Sequence, residues 1–190
     1  MHRPNQKSRS FADLAKRYTE GTDYRVYLQP RPGSAIAIVA PHGGQIELGT
    51  SEIARAIAGD EFNLYLFEGC RPSGNYEALH LTSHWFDEPR CLELLAHCDH
   101  VVTVHGCRGE AAQVLTGGRD EVLKADVANR LQAAGFAVRS TDHPYMGLEP
   151  RNICNRGRRG AGVQLELTRA LRDQGPHALV RATRGALLAL

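Results

Sequence analysis

Apolar and polar positions alternate between two periods along this chain. Short apolar runs at Ala35–Ala40 and Phe62–Phe67 predict strands, and Ala35–Ala40 is apolar on successive positions, as in a strand covered on both faces by helices. Tyr24–Leu28, His100–Val104, Phe136–Arg139 and the alternating Val163–Leu167 add four more. Between them the period lengthens. Residues 10–19 read as a helix, and Thr50 or Ser51 caps a helix that runs to Ala58, with Gly59 at its left-handed end. Asp87 caps Glu88–His97, with Pro89 in the first turn. Val122, Leu123, Val127 and Leu131 recur at helical spacing within Arg119–Ala134. A turn at Pro30–Gly33, a long loop at Thr141–Gly162 and a C-terminal helical region complete the order. Strands alternating with helices predict an α/β fold, an open and mostly parallel or mixed twisted sheet with helices on both faces.

Length and composition narrow the class. A chain of 190 residues suits one domain, residues 1–190, with 1–9 reading as a flexible N-terminus. Apolar residues at 42% and charged residues at 23% are ordinary globular usage, which argues against disorder. No apolar run reaches the length that spans a bilayer, and the first residues lack a secretory hydrophobic core, so the expected location is the cytoplasm, with no membrane partner. Five cysteines, Cys70, Cys91, Cys98, Cys107 and Cys154, form an odd set without a CxxC pair, which predicts reduced thiols. A net charge of +2, 6% aromatic residues and the lack of helix-turn-helix or zinc-finger spacing argue against a nucleic-acid partner.

In open α/β sheets ligands bind beyond the carboxyl ends of the strands, so the residues that follow each apolar run matter most. His42 follows Ala35–Ala40, Glu68 follows Phe62–Phe67, and His105 follows His100–Val104, each with glycine immediately after it. Glycine there permits a sharp turn and leaves room for a ligand near the backbone. Two imidazoles and a carboxylate form a catalytic zinc set with one coordination position left for water. The expectation is therefore one Zn2+ per chain held by His42, Glu68 and His105. Any one of these histidines alone would read as a hydrogen-bonded structural residue; their shared position gives the set its weight. Glu166 interrupts an apolar strand and is either a general base for that water or an ion-pair partner of Arg169 or Arg156.

Other candidates carry less. His80 and His84 have HxxxH spacing, but Leu79–Ser83 reads as extended, so they are expected at most to line the site. Glu47, five residues past His42, is either a ligand or its partner, or more simply a helix-leading surface carboxylate. Cys70 and Cys107 each lie two residues past a proposed ligand, which keeps a thiolate nucleophile as a rival. Cys91 and Cys98 read as core residues. Arg151, Arg156, Arg158 and Arg159 place four arginines in one Gly-containing loop, either a receptor for an anion or a solvated basic segment.

The segments Ala40-Pro-His-Gly-Gly44, Gly49-Thr-Ser-Glu52, Leu66-Phe-Glu-Gly69, Leu79-His-Leu-Thr-Ser83, Phe86-Asp-Glu-Pro-Arg90 and Gln164-Leu-Glu-Leu167 occur in an order that resembles the phage-type poly-γ-glutamate hydrolase family. The likeness covers about Phe11 to Leu171. It implies a fold similar to zinc metallocarboxypeptidases and cleavage of γ-glutamyl amide bonds. By the resemblance His42, Glu68 and His105 fall on the zinc ligands and Glu166 on the catalytic glutamate. The partner implied is an anionic γ-glutamyl polymer or peptide, whose carboxylates call for forked donors such as Arg151, Arg156, Arg158 and Arg159, with His80 beside them. A monomer is expected, cytoplasmic or released by lysis if phage-derived. Two alternatives stand: a zinc amidase or peptidase acting on another γ-linked or cell-wall amide, and a non-catalytic nucleic-acid-binding protein that uses the loop from Arg151 to Arg159.

Overall fold

The computed structural model describes residues 8–175 and 177–190. Among these residues seven strands form one mixed sheet: β1 Tyr24–Gln29, β2 Ile36–Gly44, β3 Asn63–Gly69, β4 His100–Cys107, β5 Gln113–Gly117, β6 Ala137–Arg139 and β7 Val163–Thr168. Their spatial order is β1-β3-β2-β4-β7-β5-β6. Neighbours are parallel except β1 with β3 and β5 with β7. The helices are α1 Phe11–Ala15, α2 Thr50–Ala58, α3 Asn75–Leu79, α4 Pro89–Leu95, α5 Glu121–Ala133, α6 Arg169–Asp173 and α7 His177–Leu187, with a 3-10 turn at Ile153–Asn155.

Alternation along the strands sends the apolar side chains to two separate cores. Ile38, Leu64, Leu66, Val102, Val104, Val163, Leu165 and Leu167 pack against α2, α5 and α7 through Ile53, Ile57, Val127, Leu131 and Leu179. Ala37, Val39, Tyr65, Phe67 and Val101 pack on the other face against Leu14, Leu79, Cys91 and Leu95 of α1, α3 and α4. The sheet is thus covered on both sides, as the apolar run at Ala35–Ala40 predicts. From β2 the chain passes through α2 to β3 on one side, whereas β4 pairs with β2 on the other. The carboxyl ends of β2 and β4 therefore flank the point where the winding reverses, which is where a crevice opens in this architecture.

Several boundaries differ from the sequence reading. β5 falls in a stretch without a strong apolar run; pairing with β7 and β6 on either side makes it a strand. The N-terminal helix is the single turn and a half of α1, because Lys16 already caps it. Glu88, not Asp87, caps α4, accepting from the Cys91 N–H at 2.9 Å, while Asp87 accepts from the Phe11 N–H instead. At α2 the cap position is Gly49; Thr50 donates back to the Glu47 carbonyl and the Ser51 hydroxyl accepts from the Gly44 N–H. Of the N-terminus expected to be flexible, residues 1–7 lie outside the described residues, and Ser8 is buried and accepts from Arg17.

Candidate active site

The register of β2 against β3 shifts between Ala40 and Gly43. Up to Ala40 the even-numbered residues of β2 face α2, so an unbroken strand would send His42 to that side. The bulge turns it to the opposite face, where its ring packs edge-on to Phe86 and its Nε2 lies 2.8 Å from the Leu81 carbonyl. Gly43 is required for this close passage, since a Cβ there would stand 2.2 Å from the Ser51 hydroxyl oxygen, and Gly44 has a left-handed φ of 60°. The Glu47 N–H then donates to the His42 carbonyl at 2.9 Å, closing a tight loop that returns the Glu47 side chain to the histidine.

His105 reaches the same face of β4 without a bulge, and Glu166 is its direct partner on β7. Four side chains converge. His42 Nδ1 lies 3.0 Å from Glu47 Oε1 and 3.1 Å from His105 Nδ1; His105 Nδ1 lies 3.7 Å from Glu47 Oε2, and His80 Nε2 lies 3.4 Å from Glu47 Oε1. The Gly106 N–H donates to Glu47 Oε2 at 2.7 Å. Burial alone would raise the Glu47 pKa, but the charge of His42 and hydrogen bonds from His105, His42 and His80 hold it well below the usual carboxylate range.

This arrangement fits a cation. The Leu81 carbonyl can only accept, so His42 Nε2 carries a proton, and His42 Nδ1 is left facing both the Glu47 carboxylate and His105 Nδ1, where a shared proton holds the groups together and a cation would take its place. Lone pairs and carboxylate oxygens meeting at one buried point repel unless positive charge lies between them. Potential ligand atoms of His42, Glu47 and His80 all fall within 4.8 Å of one another. The histidines, Glu47 and Glu166 line a cavity of about 330 Å³, together with Tyr76, Ser83, Tyr145, Asn152 and Gln164.

Glu166 is the second buried acid of the cavity. Burial, and then the charge of Glu47, pushes its pKa well above the ordinary carboxyl value, with Arg172 acting the other way. Arg172 donates to the carbonyls of Leu167, Cys107 and Leu48. It thereby joins the segments that carry Glu166, His105 and Glu47. Gly106 makes room for it, since a Cβ at that position would stand 2.6 Å from the guanidinium carbon.

The structure does not bring the predicted carboxylate ligand, Glu68, to the histidines. Glu68 continues the alternation of β3 without a bulge, so it shares the α2 face with Leu64 and Leu66, and its nearest ionic partner is Arg55 at 4.0 Å. It stands on the opposite side of the sheet from His105. Glu47, for which the sequence leaves a ligand or its partner beside the simpler reading of a surface carboxylate, is 8% exposed and takes the central place. The signal for it was the glycine pair after His42, which lets the chain double back. His80 does line the cavity, as does His84.

The arginine loop is corrected as well, for none of Arg151, Arg156, Arg158 and Arg159 lines the cavity. Arg158 forms a two-pronged pair with Asp99 at 2.8 and 2.6 Å, and Arg159 reaches Asp120 at 3.0 Å. Asp99 and His100 mark the start of β4, about 17 Å of strand from His105. Arg156 is half-buried, with its charge felt by the Cys91 thiol, and Arg151 is exposed. Glu166 makes no ion pair with Arg156 or Arg169; Arg169 pairs with Asp173. Burial and Glu166 push the Cys107 thiol up to about 11, which disfavours the thiolate that the cysteine-nucleophile reading requires, and Cys70 lies outside the cavity. The five cysteines are free.

Comparison with known proteins gives a consistent group. The sequence profile of the poly-gamma-glutamate hydrolase family matches residues 8–179. Over 165 residues the chain is 40% identical to the protein YndL of Bacillus subtilis (strain 168), covering 86% of this chain and 64% of the relative. The chain thus spans under two thirds of the length of that curated relative. Among solved structures, a bacteriophage poly-gamma-glutamate hydrolase superposes with a TM-score of 0.91 at 28% identity, covering 96% of each chain. A zinc-free apo structure of YndL superposes with a TM-score of 0.84 at 33% identity, covering 96% of this chain and 95% of that one.

Proposed function

Since the chain belongs to the poly-γ-glutamate hydrolase family, we propose that it is a zinc-dependent hydrolase of γ-glutamyl amide bonds, with poly-γ-glutamate as its substrate. His42, Glu47 and His105 are the ligands in this reading, and Glu166 is the catalytic base. The observation that carries it is the convergence of His42 Nδ1, His105 Nδ1 and the Glu47 carboxylate at one buried point beside Glu166. That a solved YndL structure is described as zinc-free supports zinc as the metal.

A divalent zinc ion supplies Lewis acidity to a carbonyl group and to water. The protein supplies the rest. Ligands on the ends of β2 and β4 and on the loop closed by Glu47 are fixed by backbone hydrogen bonds, so the site is set before substrate arrives. Glu166, across from His105, accepts a proton from water and returns it to the leaving amine. Its raised pKa suits both roles, since it holds the proton long enough to deliver it. His80 rests on the His42 ring at 4.0 Å between centroids and lines the cavity, so it orients the ligand or the substrate carbonyl.

Substrate carboxylates need a cation nearer than the arginine loop. Arg108 follows the cavity-lining Cys107, is exposed, and makes no hydrogen bond or ion pair among the described residues. The Tyr76 phenol in the cavity is pushed up by burial and by Glu47 and pulled back by Arg108, so the guanidinium charge reaches the cavity wall. Arg108 is the reader of the α-carboxylate in this proposal.

The test is to prepare the chain without added metal, measure bound zinc, and assay poly-γ-glutamate cleavage for the wild type, His42→Ala, Glu47→Ala and Glu68→Ala. The expected result is about one zinc per chain, lost with activity in the first two variants and retained in Glu68→Ala. Zinc retained in Glu47→Ala and lost in Glu68→Ala would overturn the ligand set; zinc without cleavage would overturn the substrate.

A further inference from the structure

Gln164 and Glu166 alternate on β7 and so share the face that looks into the cavity; both are buried, with 3% and 6% of their surface exposed. Gln164 donates from Nε2 to Glu166 Oε1 at 3.3 Å and to the Tyr145 carbonyl at 3.2 Å, and its Oε1 accepts from Asn152 Nδ2 at 2.9 Å. Asn152 in turn accepts from the Cys154 N–H through Oδ1 at 3.1 Å.

The direction of this chain of bonds is forced from both ends. A backbone N–H can only donate, so the Asn152 atom facing Cys154 is the oxygen and the atom facing Gln164 is the nitrogen. The Tyr145 carbonyl can only accept, so the Gln164 atom facing it is the nitrogen as well. Gln164 therefore cannot turn its amide round without leaving buried groups unpaired, which costs more than the bond itself contributes. Glu166 meets an N–H donor on Oε1 at all times.

We propose that Gln164 is a positioning residue for Glu166: the relay from the Cys154 N–H through Asn152 and Gln164 holds Oε1 as a hydrogen-bond acceptor and leaves Oε2 to exchange protons with water and the leaving amine. The inference rests on Glu166 being the base of the proposed hydrolase. It adds that the orientation of this base is set by a side chain two residues away and by the loop that carries Tyr145 and Asn152. In the exchange the O–H bond of water breaks and an O–H bond forms at Oε2; that bond then breaks as the amine nitrogen takes the proton.

The experiment compares zinc-loaded full-length Gln164→Met, Asn152→Asp and the double variant with wild type on poly-γ-glutamate, with thermal midpoints and bound metal measured in parallel. Gln164→Met is expected to lower kcat by about 10-fold to 100-fold, as loss of reacting geometry does, with KM within about twofold and zinc content unchanged. Asn152→Asp keeps the bond from Cys154 but offers Gln164 only an acceptor. It is expected to turn the Gln164 amide so that its oxygen faces Glu166, and to lower kcat by a similar factor. The double variant should lose no more than either single one. A lowered thermal midpoint with unchanged kcat, or losses that multiply in the double variant, would overturn the relay.

The side-chain ¹⁵N–¹H signals of Gln164 are read separately and need no substrate. They should move in Glu166→Ala and in Asn152→Asp; signals that stay in place in both overturn the proposal even if wild type proves inactive on this polymer. Full cleavage by Glu166→Gln would instead overturn the assignment of the base, and with it the function of the relay, while the amide signals would still report its geometry.

Discussion

The two ends of β4 carry charged clusters of similar size and opposite character. At the amino end Asp99 faces Arg158 and Asp120 faces Arg159, each acid within hydrogen-bonding distance of a guanidinium that is about half exposed. At the carboxyl end Glu47 and Glu166 are more than nine-tenths buried beside histidines, and Arg172, whose charge reaches Glu166, spends its donors on backbone carbonyls. The first cluster neutralises itself, so nothing further is needed to explain it. The second crowds two acids and three imidazoles without balancing them. Groups tolerated in that state need an external reason, and in the proposed function a bound cation and a reacting proton would supply it.

The largest effect should therefore come from the unbalanced end. Glu47→Gln keeps the size of the side chain and removes its charge, and zinc affinity is expected to fall more than about 100-fold, with cleavage lost in step; titration with a competing chelator reads this directly. Chelation of the wild type should abolish cleavage, and added zinc should restore it. Unchanged affinity in Glu47→Gln would remove the contrast between the two ends.

Glu166→Gln comes next, with kcat expected to fall by about 10²- to 10⁴-fold while zinc stays bound. The same variant should stabilise the metal-free protein at neutral pH. The sign follows from the raised pKa: below the ordinary carboxyl value both folded and unfolded states hold the proton and Glu166 has no effect on pH dependence. As the pH rises through the window between the unfolded and the higher folded value, the unfolded chain ionises first, so the wild type loses stability relative to the variant. Thermal midpoints measured across that range in the presence of chelator should diverge with rising pH, and midpoints that stay parallel would show that burial does not control this group.

How much of this could be read from the sequence depends on the strand. His105 and Glu166 were legible because β4 and β7 run without interruption, so their apolar alternation fixes the face of every later residue. His42 was found for a reason that happened to survive the bulge: it follows an apolar run, but its face is decided by an irregularity that apolar pattern does not encode. The same rule misplaced Glu68, since three residues ending three strands need not point the same way. Glu47 needed the loop closure from its own N–H to the His42 carbonyl, which only the glycine pair hinted at. For the arginine loop the sequence left open an anion receptor or a solvated basic segment, because the acidic partners of Arg158 and Arg159 lie 59 and 39 residues away in sequence. β5 was missed because its pairing with β7 and β6, more than its own composition, makes it a strand.

Arg172 sharpens the comparison from a different side, since it is an arginine near the carboxyl end that forms no ion pair among the described residues. Arg172→Met removes charge-assisted donors from three carbonyls, each such bond being worth about 1.5–3 kcal/mol when buried, and about 3 kcal/mol of stability should be lost after partial solvation. Arg172→Lys should recover part of it, as one ammonium cannot span the three acceptors. Chemical unfolding of the two variants separates them. Arg108→Ala should leave stability unchanged and raise KM by about tenfold, the value of one charge-assisted contact to a substrate carboxylate, with kcat little altered.

The smallest effect belongs to the balanced end, and its smallness is informative. Arg158→Ala breaks the two-pronged contact with Asp99, yet both groups are solvated, so the pair is screened and exchanges readily for water. Arg158 holds the Asp99 carboxyl below its ordinary value. A depressed carboxylate contributes stability above its unfolded pKa and loses that contribution as the pH falls through the folded one. The difference between Arg158→Ala and wild type should accordingly be slight at neutral pH, vanish on acidification, and shrink in high salt, with zinc content, kcat and KM unchanged throughout. A change in KM for poly-γ-glutamate would bring the arginine loop back as a substrate contact and would mean that the polymer extends from the cavity to the far end of the sheet.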